Sequence, residues 1–437
     1  MKLHRSTIVM MALSGTFALG APAFAAPGYI PFMTTFRKMT ANAETAVRAK
    51  LVDVVEVPVS GPNADVLLYR QNNDNDDVRR DAILEVTKVL SDASGRDIVQ
   101  GPLQVVSLAQ QSLNQYPESL RAGEEAIIFL TVRHDGNLGF KNDQRGVIAR
   151  ENMGESSIDQ VESLLQSVYG TQAEYGRDTK RLNAEMQNLL LKAFKNDGSR
   201  LSVDIAIEFG WNFDEFSSSF DESEKAQLLG FLRDSEPGSV SRRELLTAAG
   251  RVLPAGGEEL IVDQIVNDGS SSVIALGSWA LEMYGRVGGA QRMLDSYASL
   301  AENNHAGHAR LIAALGLFRP KDASGERDNR ERFTDILHTT LTTTSDAAVL
   351  TESLIAARDM RYRHNELGAE LERLVEDFRA QKITDTVFRR VVIALAATRD
   401  EAALRSLRSL KGEFNGAIDK HIELAIEQPF TVLVDGR

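Results

Sequence analysis

The apolar residues of this chain change their spacing once, near residue 150, and that change limits what the chain can fold into. Before it, short runs rich in valine, isoleucine and leucine are separated by turn clusters such as Ser60-Gly61-Pro62-Asn63. From Ser156 onward, apolar residues recur at helical spacing almost to the end. Alternation puts successive side chains on opposite faces of a strand, whereas a period of three to four gathers them on one side of a helix. A strand-built domain followed by a helix-built one is therefore expected. A length of 437 residues exceeds one small core and agrees with more than one domain.

The strand phase predicts strands at 51–59, 66–69, 81–89, 102–108, 126–132 and 137–140. Asp135-Gly136 lies between the last two, and such a pair signals a hairpin because glycine tolerates the backbone angles of the turn. Alternation is imperfect in the first strand, where Leu51, Val55 and Val57 share a face that Asp53 interrupts. About five short strands with such turns suggest a small antiparallel barrel.

The same stretch resembles a known domain. A strand carrying Val86, Val89 and Leu90 is followed by Leu120, Gly123, Glu124, Phe129 and Leu130, then by the Asp135-Gly136 turn. This order is similar to the OB-fold, netrin-like (TIMP-like) domains of secreted proteins, and the similarity covers 44–148. The resemblance implies a barrel, not a catalytic signature. Eukaryotic inhibitors of this fold chelate a protease zinc through an N-terminal cysteine. This chain has no cysteine, so that mechanism does not carry over.

In the helical phase, 158–169, 179–194 and 223–233 read as helices, with Asn196-Asp197-Gly198 ending the second. The aromatic-dense stretch 201–220, with Trp211, Phe213, Phe216 and Phe220, reads as core packing. From Arg242 the chain repeats weakly. Segments 245–254, 277–289, 310–320, 353–362 and 391–400 are each an apolar helix with small residues and then a basic or Gly/Pro break. A second amphipathic helix follows each one, at 258–266, 290–300, 327–341, 365–378 and 401–410. The marker alanines Ala248, Ala280, Ala313, Ala356 and Ala394 recur at intervals of roughly 30 to 45 residues, the range of helix-pair solenoids. Ala313-Ala314-Leu315-Gly316 resembles the close of a HEAT-like repeat helix. A helix at 417–427 and a strand-like tail at 429–434 would end the array.

The ends and the charge bear on compartment. Lys2, His4 and Arg5 precede an apolar stretch at 8–19 and the small-x-small site Ala23-Phe24-Ala25, so 1–25 reads as a secretory signal with cleavage near Ala25. A periplasmic or secreted protein is expected. The absence of cysteine removes thiol catalysis, thiolate metal sites and disulfides together. A formal charge of −13 argues against nucleic acid as a partner but leaves room for a local basic patch. No apolar run beyond the signal is long enough for stable membrane insertion.

Candidate chemistry is sparse. His305 and His308 stand three apart at a helix start, the spacing of a metal pair, but no third ligand stands at a suggestive distance. The run Asn72–Asp77 looks like a calcium loop but carries Asp77 and Ile83 where glycine and glutamate are needed, so it reads as a polar loop. Arg358, Arg361 and Arg363, with Arg389, Arg390 and Arg399 in the next repeat, are placed to line one edge of a solenoid and meet an acidic partner or anionic glycan. Arginines near helix C-termini also serve the helix dipole without any ligand. Serine-elbow, zinc-helix and phosphate-loop motifs are absent. The pairs Glu124-Glu125 and Glu258-Glu259 are adjacent and point apart.

The expectation is thus an α+β multidomain chain, a small antiparallel OB-like β-barrel followed by an all-α HEAT-like helical repeat array. It divides as signal 1–25, lead-in 26–43 (loosely ordered), barrel 44–150, helical linker or cap 156–235, repeats 236–428 and tail 429–437. The function that follows is a non-catalytic binding or scaffold module with an unspecified protein partner and no cofactor. The alternatives are a protease inhibitor or regulator of TIMP-like fold, and an enzyme with a site at the barrel–array junction near His134 and Trp211.

Overall fold

The computed structural model of the chain describes residues 35–58, 78–106, 122–133, 136–141, 146–211, 220–252, 257–321, 325–398, 400–414 and 416–427. The signal-like segment, the expected strand at 66–69, the 72–77 loop, His134, Asp135, Phe213, Phe216, Arg399 and the tail lie outside them, as do the side chains of Trp211 and His364. The chain divides into two compact units at Leu260/Ile261.

The first unit opens with helix α1 (Phe36–Asn42) and then strands β1 (Thr45–Pro58), β2 (Val78–Asp92), β3 (Gly101–Val106), β4 (Glu125–Val132), β5 (Leu138–Phe140) and β6 (Val147–Ile148). Hydrogen bonding runs β1-β2-β3-β5-β4 and closes from β4 back to β1, with β6 added beside β4. The result is the expected small OB-like barrel, but a mixed one. Val106 pairs with Gly139 in parallel, the other strand-to-strand pairings are antiparallel, and an isolated parallel bridge joins Leu51 to Ala122. A Cβ on Gly139 would lie 2.8 Å from the Arg133 side chain, which would have to shift to admit it.

The broken alternation of β1 has a physical cause. Leu51 pairs with Leu84 and Asp53 with Ile83, so Val52 is an extra residue in a bulge. Val47, Ala49 and Leu51 point into the barrel before the bulge, and Val54 takes over after it. Val52 and Asp53 are left outside, Val52 56% exposed. The continuous apolar run of β4 is likewise explained. Ala126, Ile128 and Leu130 fill the barrel, while Ile127 and Phe129 are equally buried on the other face. There the Phe36 ring of α1 meets Phe129 edge-on at 6.0 Å.

Helices α2 (Ile158–Tyr175), α3 (Thr179–Ala193), α4 (Arg200–Trp211), α5 (Glu222–Asp234) and α6 (Val240–Val252) follow, and α7 (Gly257–Asn267) runs across the division. Thr35–Asn42 is not the loose lead-in expected from its composition. Acids on the otherwise apolar α4 hold it: Asp204 accepts from the Phe36 amide at 3.0 Å, and Glu208 accepts from Arg37 at 2.7 and 2.9 Å and from the Thr35 hydroxyl. An acid at a helix N-terminus satisfies amides that the helix leaves unpaired. In the aromatic-dense stretch, Phe209 and Phe220 pack edge-to-face at 5.8 Å, both buried.

The second unit continues with α8 (Ser271–Tyr284), α9 (Arg286–Ser299), α10 (His305–Phe318), α11 (Arg327–Thr343), α12 (Ala347–Met360), α13 (His364–Arg379), α14 (Asp385–Thr398), α15 (Glu401–Ser409) and α16 (Gly416–Glu427). Here the helices form two rows. Even-numbered α8 to α16 pack each on the next even one, odd-numbered α9 to α15 do the same, and paired neighbours join the rows. This is the helix-pair array expected from the repeats. Small residues set the spacing of the even row. Ala280, Ala356 and Ala394 are buried, and Ser278 donates to the Ala314 carbonyl of the next even helix at 3.0 Å. Ala313 itself is only half-buried, and its neighbour Ala314 takes the seam position.

One close approach is at Gly316, where a Cβ would stand 2.9 Å from the Ala356 Cβ. Gly316→Val should force α10 and α12 apart and cost about 1–3 kcal/mol, read as a lower urea midpoint. Combining it with Ala356→Gly should restore part of that loss.

Candidate functional site

Two places collect functional groups, one in each unit. In the first unit, Arg48 on β1 reaches out of the barrel to Glu125 on β4 at 2.7 Å, and to Asp159 and Glu162 on α2 at 2.6 and 3.1 Å. Lys88 of β2 also pairs with Glu162, and the Thr87 hydroxyl donates to Glu125 at 2.8 Å. The Arg48 bond holds the Glu125 carboxyl below its ordinary value against the opposing effect of burial. For Glu162, burial pushes upward, but the bonds from Lys88 and Arg48 outweigh it and the net direction is down. A cleft of about 500 Å3 opens beside this network, lined by Glu124, Glu125, Arg150, Met153 and Glu155 among others. Of its charged groups, Glu125 is held by Arg48 at 2.7 Å, and Arg150 donates to the Gly154 and Ser156 carbonyls at 3.1 and 2.8 Å. The network ties barrel to helix.

Both carboxylates are depressed, so their contribution to stability is complete above the ordinary value of 4.5 and is lost as pH falls through their lower folded values. Arg48→Met should therefore cost about 2–3 kcal/mol at neutral pH. Urea titrations at falling pH should show the gap between variant and wild type narrowing below pH 4.5, the ordinary value of these groups.

In the second unit the histidine pair is separated by role. His305 is exposed at the start of α10, while His308 packs its ring on Tyr297 at 4.6 Å. Burial pushes the His308 imidazole down, with His305 adding to it. No group of three or more His, Cys, Asp or Glu that could hold a metal occurs among the described residues.

The arginines divide as well. Arg358, Arg389 and Arg390 come together on α12 and α14, joined by Glu352 of α12 and His421 of α16, which sequence reasoning missed. Arg358 is 7% exposed and bonds Asp359 at 2.7 Å. Burial pushes the Glu352 carboxyl up, with the nearby Arg390 and Arg358 charges acting against it. Arg390 is pushed down by burial and by Arg358. His421 lies 3.4 Å from the Arg389 carbonyl, and burial together with the Arg389 and Arg390 charges lowers its imidazole. Arg361 and Arg363 stand apart from this cluster, exposed in the turn after α12. Arg361 adopts a left-handed φ of 52° there, and the Arg363 amide donates to Glu366 at 2.6 Å.

In comparisons with known proteins, no family model and no curated sequence matches the chain. Among the described residues, no helix is long and apolar enough to cross a membrane.

Proposed function

We propose that the protein is an exported, non-catalytic binding or scaffold module whose helical array presents a face to a protein partner. What carries the reading is the two-row packing of α8 to α16, in which one row is sealed by small residues while half-exposed side chains run across its helices. Such arrays offer an extended surface, which suits a protein chain better than a small molecule. Export is read from the signal-like pattern of residues 1–25.

The test has two arms. Crosslinked pull-down from the periplasmic fraction of the source cells, followed by mass spectrometry, should return a discrete partner at substoichiometric bait. Turnover of a hydrolase substrate panel by the purified protein, abolished by one substitution, would overturn the proposal.

The second reading is a protease regulator of TIMP-like fold acting through the barrel, favoured by the closed strand order β1-β2-β3-β5-β4. Arg48 and Val147 of the barrel bond to α2 and α4, so the full chain is the right reagent. Inhibition of extracytoplasmic proteases by that chain, with no metal-chelating terminus, would favour it.

A further inference from the structure

The two rows of the array are joined by different chemistry. Neighbouring even helices meet through small residues and backbone: Gly316 of α10 faces Ala356 of α12, and Ser278 of α8 donates to the Ala314 carbonyl of α10 at 3.0 Å. Neighbouring odd helices are bridged by long polar side chains. Arg332 of α11 pairs with Asp295 of α9 at 2.9 Å. Arg330 and His338 of α11 reach Glu366 and Glu370 of α13 at 3.5 and 2.8 Å. Glu372 of α13 accepts from the Ser406 hydroxyl of α15 at 2.8 Å, and Arg379 of α13 pairs with Glu413, in the turn after α15, at 2.5 Å. The main chains of the even helices come closer to one another than those of the odd helices. Two joined rows of unequal spacing bend toward the tighter one, so the even row lies on the inside of the curve.

The rows also differ in how readily they yield. Gly316 and Ala356 are buried, and a close-packed interior gives little. The side chains of Asp295, Arg332, Arg379 and Glu413 are 34–52% exposed, and exposed ion pairs are individually weak and screened by salt. We propose that the array flexes about its even row, with the charged bridges of the odd row as seams that open and close. Opening a seam lets two odd helices separate while the small-residue contacts of the even row hold, so the array bends more tightly around the even row. The bending belongs to the array alone and stands or falls separately from the scaffold reading.

The test measures distances across each row of the full chain by double electron–electron resonance. The chain has no cysteine, so pairs of spin labels can be placed without background. Ala298→Cys with Ser409→Cys marks α9 and α15 of the odd row, and Ala306→Cys with Ala417→Cys marks α10 and α16 of the even row. All four positions are exposed, and each pair spans three steps of its row. Potassium chloride is raised to about 1 M, where the screening length falls to roughly 3 Å. The odd-row distance should lengthen by about 2–6 Å, up to about 2 Å at each seam, the spread of ordinary helix spacings. The even-row distance should hold. Arg332→Gln combined with Arg379→Gln should lengthen the odd-row distance already at low salt and blunt its response to salt. Arg405→Gln, an exposed charge on the same row, should do neither. An odd-row distance indifferent to salt, or an even-row distance that lengthens equally, would overturn the proposal, and so would a double variant that behaves as the wild type does. The salt titration of the wild-type background decides the matter if the double variant folds poorly.

Discussion

Glu208→Ala should destabilise the first unit by about 3–5 kcal/mol, the cost of leaving a largely buried charge without its partner. Glu208 is 1% exposed at its side chain and Arg37 11%, so water cannot replace the lost pairing. The Thr35 hydroxyl and the Arg37 guanidinium would both lose an acceptor, and the start of α1 would be held by Asp204 alone among the contacts described above. Hydrogen exchange should rise first in Phe36–Asn42, then in the β4 residues that Phe36 covers. The double variant Arg37→Met/Glu208→Met should recover much of the loss, because an apolar pair carries no desolvation penalty. Recovery would show that charge burial is responsible, not side-chain volume.

The second large effect is expected at Phe388. Its ring is fully buried and stacks on Phe378 at 3.9 Å and 6°, while Phe414 lies 5.2 Å from both. The three rings come from α14, α13 and the turn after α15, so they fasten both rows of the array together. Phe388→Ala should cost about 3–5 kcal/mol through lost burial and the cavity left behind. Phe388→Leu should cost less than half of that, since most of the volume is kept. Urea unfolding with hydrogen exchange mapped to Asp385–Thr398 measures both. An alanine variant with unchanged protection there would contradict this account of the packing.

The architecture was legible where one physical pressure acts on a whole segment. Strand runs such as Glu125–Val132 and the helix pairs are set by burial on one or two faces, which leaves a periodic trace. The repeats were visible because close helix packing admits only small residues, as Gly316 against Ala356 shows. The β1 bulge left a trace too, in the Asp53 interruption, but only the pairing with β2 shows that an extra residue causes it. The parallel β3–β5 contact could not be read, because it rests on a single residue pair.

The first helix was missed for a different reason. Composition alone cannot show that distant acids will hold a short Thr-rich segment. A signal did exist on the other side of the contact: Asp204 and Glu208 stand four apart in an otherwise apolar helix, and acids in that setting need partners. The array cluster was half legible. Its arginines stood out as basic breaks, but Glu352 and His421 join them only through the stacking of α12, α14 and α16, which no local pattern encodes.

The central claim, that the protein works by holding a partner on the even row of its array, is tested most directly by site-specific photo-crosslinking in the source cells. A photoreactive residue at Thr386, exposed beside Arg389 and Arg390, is compared with one at Arg405, exposed on the odd row. The account predicts a discrete adduct from Thr386, mapping to one protein, and none from Arg405. Equal adducts from both positions, or none from Thr386, would contradict it.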